Sequence, residues 1–522
     1  MIQIKINKDE SVFRNELIYT VDAKSINIDY TLINLFMLLR YNGQKPRQLS
    51  RGTGKTLVEI NHISKALGLL ERENKVLGYS DNIEAIEPWI RNNFVNLAYR
   101  GKIDKEKLAS LRPIHLESYR VRNAGVARDY YSADQVYLML SVNPQVKDDL
   151  KKFLIEGWDA TTDTLNNLDN LDIDSLGMLN IIPKVTPRFV LDTSTSLNRI
   201  EPLLKEQAHL FCDDIRRLLV YKDEIPRSVL VDYLKTIVSF HMSLYTQKLV
   251  QFLPIMVENG TSQIEDNWNV VIDTTDNFES KVSNYAIEDA DRLYNSIYNY
   301  IVATFKINMT LEYLGLNKDN SVNLQKALTE LKKSSSEKET YFKAKYNILY
   351  KDLDEEDKLL VDDITKYEDS YFDKYLAIIL NSKAKRQFIE YKRLLANLSQ
   401  NNSDRGFMAQ GRSKKHPRRF VMGTRLLETL VQMLVLESKE DHFVTRSLSI
   451  EELMGIIRER YGLIINGITE VRFKDANVNT HLAFKENVEA FKHKLRQIGF
   501  YDDLSDAYIL QKVRPRYQLN QQ

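Results

Sequence analysis

The apolar positions of this chain recur mostly at three- and four-residue intervals, so its regular structure reads as helix. Near the end, Phe484, Val488, Phe491, Leu495 and Ile498 step by four, three, four and three, which predicts a helix over 484–498, broken by Gly499. Upstream, Ser449-Ile450-Glu451-Glu452 has the form of a capping box. In that motif the serine hydroxyl takes the third helical amide while the glutamate returns to the serine amide. The helix it opens turns Ile450, Leu453, Met454 and Ile457 inward and stops at Tyr461-Gly462. The whole stretch 424–519 reads as three helices followed by a hairpin over 500–513, where apolar and polar positions alternate.

The middle of the chain is helical throughout, with helices predicted over 199–221, 229–253, 282–314, 323–333, 340–350, 355–380 and 384–399. The 229–253 segment is apolar on nearly every face, the pattern of a buried central helix, and Pro254 is expected to end it. A short strand is expected over 268–272. In the first block, Ile2, Ile4 and Ile6 alternate as a strand, and helices are expected over 30–40, 57–70, 83–99 and 133–158. The fold class is therefore mainly α. Its expected parts are an α+β lobe at 1–160, a polar boundary at 161–197, a helical domain at 198–400, a basic linker at 401–423 and a C-terminal domain at 424–522.

Charge alters this picture little, because 73 Lys and Arg balance 72 Asp and Glu. Any polyanion site must be a local patch. The single cysteine, Cys212, excludes an internal disulfide framework and a cysteine-rich zinc site, and a reducing cytoplasmic compartment is expected. The most apolar segment, 236–257, carries His241, Lys248 and Pro254, so no membrane span is expected.

Candidate chemistry is sparse. Ser50-Arg51-Gly52-Thr53-Gly54-Lys55-Thr56 lacks the leading glycine of a phosphate loop, since Leu49 stands there. The acids Asp352, Asp354, Glu356, Asp357, Asp362 and Asp363 read as a solvated helical face, with a metal-dependent nuclease as the alternative. His209, Cys212, Asp213 and Asp214 do not complete a zinc site, and His241 reads as a hydrogen-bonded core histidine. Asp273-Thr274-Thr275-Asp276 reads as a turn. The arginines and tyrosines between Arg112 and Tyr131 read as a helix-loop with buried rings and surface charges, against the alternative of a single-strand-binding stripe. No cofactor and no metal are expected, and catalysis is not the favoured reading.

The 424–519 stretch resembles a winged helix-turn-helix domain, on its capping box, the 484–498 period and the following hairpin. The resemblance implies duplex DNA or a partner protein as the ligand. For DNA, Lys485, Lys492, His493 and Arg496 line the outer face of the 484–498 helix, and Arg514 and Arg516 follow the hairpin. The bases Arg412, Lys414, Lys415, Arg418 and Arg419 are expected to neutralise phosphates. Against DNA, Asp502, Asp503 and Asp506 fall in the hairpin, and Glu486 and Glu489 share the helix.

In its overall make-up the chain is similar to accessory proteins of bacterial anti-phage defence systems. That similarity implies other subunits of the same system as partners. The leading expectation is a non-enzymatic, DNA-binding subunit of a bacterial defence assembly. The alternatives are a scaffold whose winged helix docks a partner, and a nuclease.

Overall fold

A computed structural model of the chain describes residues 12–48, 57–102, 104–159, 161–169, 171–185, 189–197, 200–411, 416–439, 442–501 and 512–519. The expected strand over 1–7 and the glycine-bearing loop 50–56 lie outside these described residues. The regular structure is mainly helical, and every sheet among the described residues is a two-stranded pair.

The chain enters α1 (Ile28–Arg40) through Asn27, whose side chain accepts the Asp29 amide at 2.9 Å. β1 (Gln44–Gln48), α2 (Ile60–Arg72) and α3 (Ile83–Trp89) follow. The helix expected over 83–99 stops early. A π-type turn over 90–94 leads into β2 (Val95–Ala98), which pairs antiparallel with β3 (Lys107–Leu111). Asn92 and Asn93 explain the stop, because their side chains bond back to the Pro88 and Trp89 carbonyls in competition with the helix.

Next come α4 (Ser132–Ser141), α5 (Pro144–Ile155), the small pair β4 (Trp158–Asp159) and β5 (Thr164–Leu165), α6 (Ile173–Val185) and β6 (Phe189–Ser196). β6 pairs antiparallel with β1. Where composition suggested a solvated boundary, α6 buries Met178, Leu179, Ile181 and Ile182 in a core shared with Ile63 and Leu70 of α2. The polar run before Ile173 had masked that apolar stripe.

The middle of the chain holds α7 (Lys205–Leu219), α8 (Arg227–Asn259), β7 (Val270–Val271), α9 (Lys281–Tyr313), α10 (Val322–Leu331), α11 (Ser336–Lys351), α12 (Glu355–Thr365) and α13 (Tyr371–Leu398). α8 is the spine, packed against α1, α7, α9 and α13. Pro254 does not end it. The helix continues to Gly260 at φ 72, and burial of Met256 beyond the proline offsets the missing amide. The helix expected over 355–380 divides because Ser370 accepts the Asp373 amide at 3.0 Å and restarts the chain as α13. α13 then absorbs the separate helix expected over 384–399.

Several polar side chains buried along α8 find a partner on a neighbouring element. Ser239 donates to the Leu398 carbonyl at 3.0 Å, Ser243 meets Ser399 at 2.8 Å, Thr246 meets Tyr19 at 2.6 Å and Lys248 reaches Asp266 at 2.5 Å. Such pairs add modest net stability but fix the register of the helices, since any slip leaves a buried group unpaired.

The last part contains β8 (Met408–Ala409), β9 (Arg419–Phe420), α14 (Thr424–Leu434), the hairpin β10 (Leu436–Lys439) and β11 (His442–Thr445), β12 (Leu448–Ser449), α15 (Ile450–Tyr461), β13 (Leu463–Ile464), α16 (Val478–Gln497) and β14 (Lys512–Val513). The segment expected as a basic linker is partly core: β8 and β9 pair antiparallel, and Phe407, Met408, Phe420 and Met422 are buried. β12 pairs antiparallel with β14. Of the hairpin expected over 500–513, residues 502–511 lie outside the described residues.

β13 pairs in parallel with β7, and Val421 forms a parallel bridge to Asp273. Two segments from the last quarter of the chain thus hold the strand that joins α8 to α9. One continuous cluster of buried apolar side chains runs from Phe13 to Val513.

Candidate interface at the C-terminal helices

α15 begins at the predicted capping box. The Glu452 amide donates to Ser449 Oγ at 3.1 Å, and the Ser449 amide donates to Glu452 Oε2 at 2.7 Å. It ends at Gly462, φ 70, a left-handed stop that only glycine adopts freely. A Cβ there would sit 2.3 Å from the Trp268 carbonyl oxygen, so the glycine also admits β7 beside β13.

The end of α15 is anchored in a polar network whose centre, Asp214 with His241 and Tyr461, is buried. Tyr461 donates to Asp214 Oδ2 at 2.7 Å, and Arg460 reaches Asp214 Oδ1 at 2.5 Å and Asp213 at 2.9 Å. His241 Nε2 also lies 2.8 Å from Asp214 Oδ2, and Gln207 Nε2 lies 2.9 Å from His241 Nδ1. Burial pushes the Asp214 carboxyl up, but hydrogen bonding to His241 and the Arg460 charge overcome it and leave the pKa lowered. Asp213 follows the same logic: burial opposes, the Arg217 guanidinium wins, and the group is held at about 2. Burial lowers His241 despite Asp214, so the ring stays neutral, donating from Nε2 and accepting from Gln207. Asp214 and His241 are both 0% exposed, so no substrate reaches this constellation. Its work is to bind α15 to α7 and α8.

α16 starts two turns before the expected position, capped by Asn477, which accepts the Thr480 amide at 3.1 Å. Phe484, Phe491 and Leu495 are buried as the period predicts. Between them, Asn487 is a hub. Its amide nitrogen donates to the Ile272 and Ile465 carbonyls at 2.9 and 2.8 Å, and its oxygen accepts the Thr274 amide at 2.8 Å. The Asp273–Asp276 turn is therefore a clamp for α16.

The outer face of α16 carries exposed Lys485, Glu486, Glu489, His493 and Arg496. Lys492 pairs with Glu489 at 2.8 Å, and Arg496 lies 5.2 Å from the Tyr501 ring centroid. Three other bases expected at a surface have partners within the fold, although Arg516 is itself exposed. Arg419 is 5% exposed, with Nε 2.8 Å from Asp273. Arg418 lies 3.5 Å over the Tyr294 ring and donates to Gln410 at 2.9 Å. Arg516 pairs with Glu428 at 2.6 Å. The acids that hold Arg419 and Arg516 are distant in sequence, so these pairings could not be read from the sequence pattern. Arg514 is exposed beside β14, and Arg412, Lys414 and Lys415 lie outside the described residues.

The same region exposes apolar side chains that the periodicity did not flag. Val471 is 88% exposed, Val478 74%, Leu482 53% and Ile468 39%. Val478 and Leu482 stand four apart on one helical face. Leu482 lies roughly 160° around the helix from Phe484 at 100° per residue, so its phase marks it as outward.

A family described as methylation-associated defense system protein MAD7 matches residues 8–517, nearly the whole chain. The chain belongs to that family. It is a component of a methylation-associated defence system, with other proteins of the system as partners. No curated protein matches the chain. Among the described residues, no helix is long and apolar enough to cross a membrane.

The remaining candidates of this MAD7-family chain resolve locally. Cys212 is buried, donates to the Met139 carbonyl at 3.3 Å, and its thiol is pushed up to about 12 by burial, whereas His209 is exposed on another face. The acids at 354–362 serve their helices. Asp354 accepts the Asp357 amide at 2.8 Å, Glu355 pairs with Lys358 at 2.8 Å, and Asp362 accepts from Tyr350 at 3.0 Å. Among the described residues, no group of three or more His, Cys, Asp or Glu is gathered as a metal site. In the Arg112–Tyr131 stretch, His115 and Tyr119 are buried, Arg120 pairs with Asp163, and Arg122 pairs with Asn34.

Proposed function

We propose that this chain is a partner-docking subunit of its defence system, acting by binding. Its docking face is the 466–477 loop with the first two turns of α16. The carrying observation is the set Ile468, Val471, Val478 and Leu482, exposed together beside a core whose Phe473 and Phe484 are buried. Single exposed apolar residues are ordinary, but several in one place mark a surface that another protein covers. Lys485 and Glu486 beside them would supply the polar rim.

A second reading is duplex DNA. It draws support from β14 pairing antiparallel with β12, a pairing that a winged helix would also have. Under it, Lys485, Lys492, His493 and Arg496 approach the major groove, Arg514 flanks it, and Arg412, Lys414 and Lys415 hold the backbone. Arg418 and Arg419 drop out of that set because their guanidiniums are engaged internally, while Arg516 is exposed and paired with Glu428. Glu486 and Glu489 weigh against it.

One experiment separates the two. The full chain, and a variant carrying Val478→Asp and Leu482→Asp, are co-expressed with the other proteins of the system and also titrated with duplex DNA across a salt series. Docking predicts that the variant keeps its thermal unfolding profile but no longer co-purifies with its partner. Undiminished co-purification removes the docking reading. Steep salt-dependent DNA binding that is weakened by Lys485→Ala with Arg496→Ala would put DNA in its place.

A further inference from the structure

Away from the C-terminal helices, a cavity of about 780 Å³ opens where the end of α8 meets α9, α10, α11 and α13. Its position brings two helix beginnings together. α11 is capped by Ser335, which accepts the Lys338 amide at 3.0 Å, and α13 is capped by Ser370. Helix N-termini carry partial positive charge and point free amides outward, which suits an anion.

Helix ends alone do not make a site, and Lys338 provides the second observation. It lines the cavity and is only 8% exposed, yet among the described residues its ammonium has no carboxylate or carbonyl partner. Its contact is the face of Phe372, with Nζ 4.4 Å from the ring centroid. Partial desolvation of this ammonium draws its pKa below the ordinary lysine value against the pull of Glu330 and Asp373.

The two nearest acids of the lining are already in use. Glu339 accepts the Tyr371 amide at 2.7 Å, and Asp373 accepts the Ser370 hydroxyl at 2.6 Å. Glu258 is exposed at the rim, and Lys306 and Lys332 add positive charge around the opening, where Lys333 is paired with Glu330. Pro254, Val257, Val302 and Leu331 make the rest of the wall apolar.

We propose that this cavity binds a phosphate-bearing small molecule of nucleotide size, its phosphate held by Lys338 at the start of α11 and its organic part against the apolar wall. The volume falls within the range of ligand pockets that take such molecules. The inference is independent of the docking face on α16 and of the DNA reading.

The test uses the full chain, with inorganic phosphate, AMP and adenosine as probes in calorimetric titration and thermal-shift measurements. AMP is expected to bind and to raise the melting temperature, while adenosine does not. Lys338→Met keeps the apolar stem and is expected to weaken AMP binding roughly tenfold or more, the worth of a charged hydrogen bond. Should Lys338→Met fail to fold, Lys306→Met is the second variant, with a smaller loss expected. Binding of AMP that neither variant changes would place it elsewhere and overturn the proposal, as would no binding by phosphate or AMP at millimolar concentration. Phosphate binding as tightly as AMP would overturn the organic half of the assignment.

Discussion

Two histidines show how single residues set the chain's response to acid. His115 and His241 are both 0% exposed, and burial lowers both; the nearby Arg227 charge helps to bring His115 to about 3. Their folded values lie below the unfolded value of about 6.5, so under that pH the unfolded chain takes up protons that the folded chain refuses. Stability from these groups is complete above about pH 6.5 and is lost as the pH falls toward the folded values, at up to about 1.4 kcal/mol per unit for each. Asp134 works in the opposite sense. Burial lifts it to about 6 despite Lys45, so its cost at neutral pH is relieved on acidification. The expected outcome is a net loss of unfolding free energy between about pH 7 and pH 5, made shallower by His115→Asn. Urea denaturation across that range checks it, and an unchanged slope in the variant would refute the assignment to His115. The sequence made His241 legible as a core histidine because apolar residues surround it on α8. It could not reveal His115, which caps the Glu117 amide locally but is buried by its long-range contact with the Glu156 carbonyl.

At the scale of the element, the chain was legible wherever a cap or a period acts locally. The Ser449 box, the Gly462 stop and the buried stripe of α16 are present as read. The misreadings have local physical causes as well. Asparagines bonding to the preceding turn ended α3, a serine cap divided the helix expected over 355–380, and buried neighbours carried α8 past Pro254. Where an element is decided by a distant partner, the pattern was silent, as with β13 on β7 and Asn487 on the Ile272 carbonyl. Gly462 gives the sharpest test at this scale. Gly462→Ala would put a methyl 2.3 Å from the Trp268 carbonyl in a left-handed backbone, so β13 must move away from β7. A loss of about 2–4 kcal/mol is expected, combining backbone strain with two disturbed ladder bonds. Replacing Gly455, whose Cβ would meet open space within the same helix, is the control expected to have little effect. Equal stability of the two variants by chemical denaturation would show that the close approach carries no weight.

For the molecule as a whole, the basic run before α14 invited a reading in which the last hundred residues form an attachment. The contacts give a different picture. Asp214 on α7 is held by Arg460 and Tyr461, β7 pairs with β13 while Asp273 just beyond it bridges Val421, and α14 covers α8. A chain cut to residues 1–404 is therefore expected to lose native helix content around α8 and to aggregate, as read by circular dichroism and size-exclusion chromatography. A monodisperse, fully helical 1–404 fragment would refute that. The candidate surfaces were the least legible feature, because a basic residue and its acid, such as Arg419 and Asp273, stand far apart in sequence. The long reach of the Asp214 network also bears on synthesis. Some 246 residues separate Asp214 from Arg460, and a ribosome covers such a stretch in on the order of tens of seconds. Through that interval the emerging chain carries a carboxylate that has His241 but lacks Arg460 and Tyr461, and one bare flank of its longest apolar helix. Such a nascent chain calls for shelter by a chaperone or by a subunit already made, and production of the protein should improve with slow, cool expression.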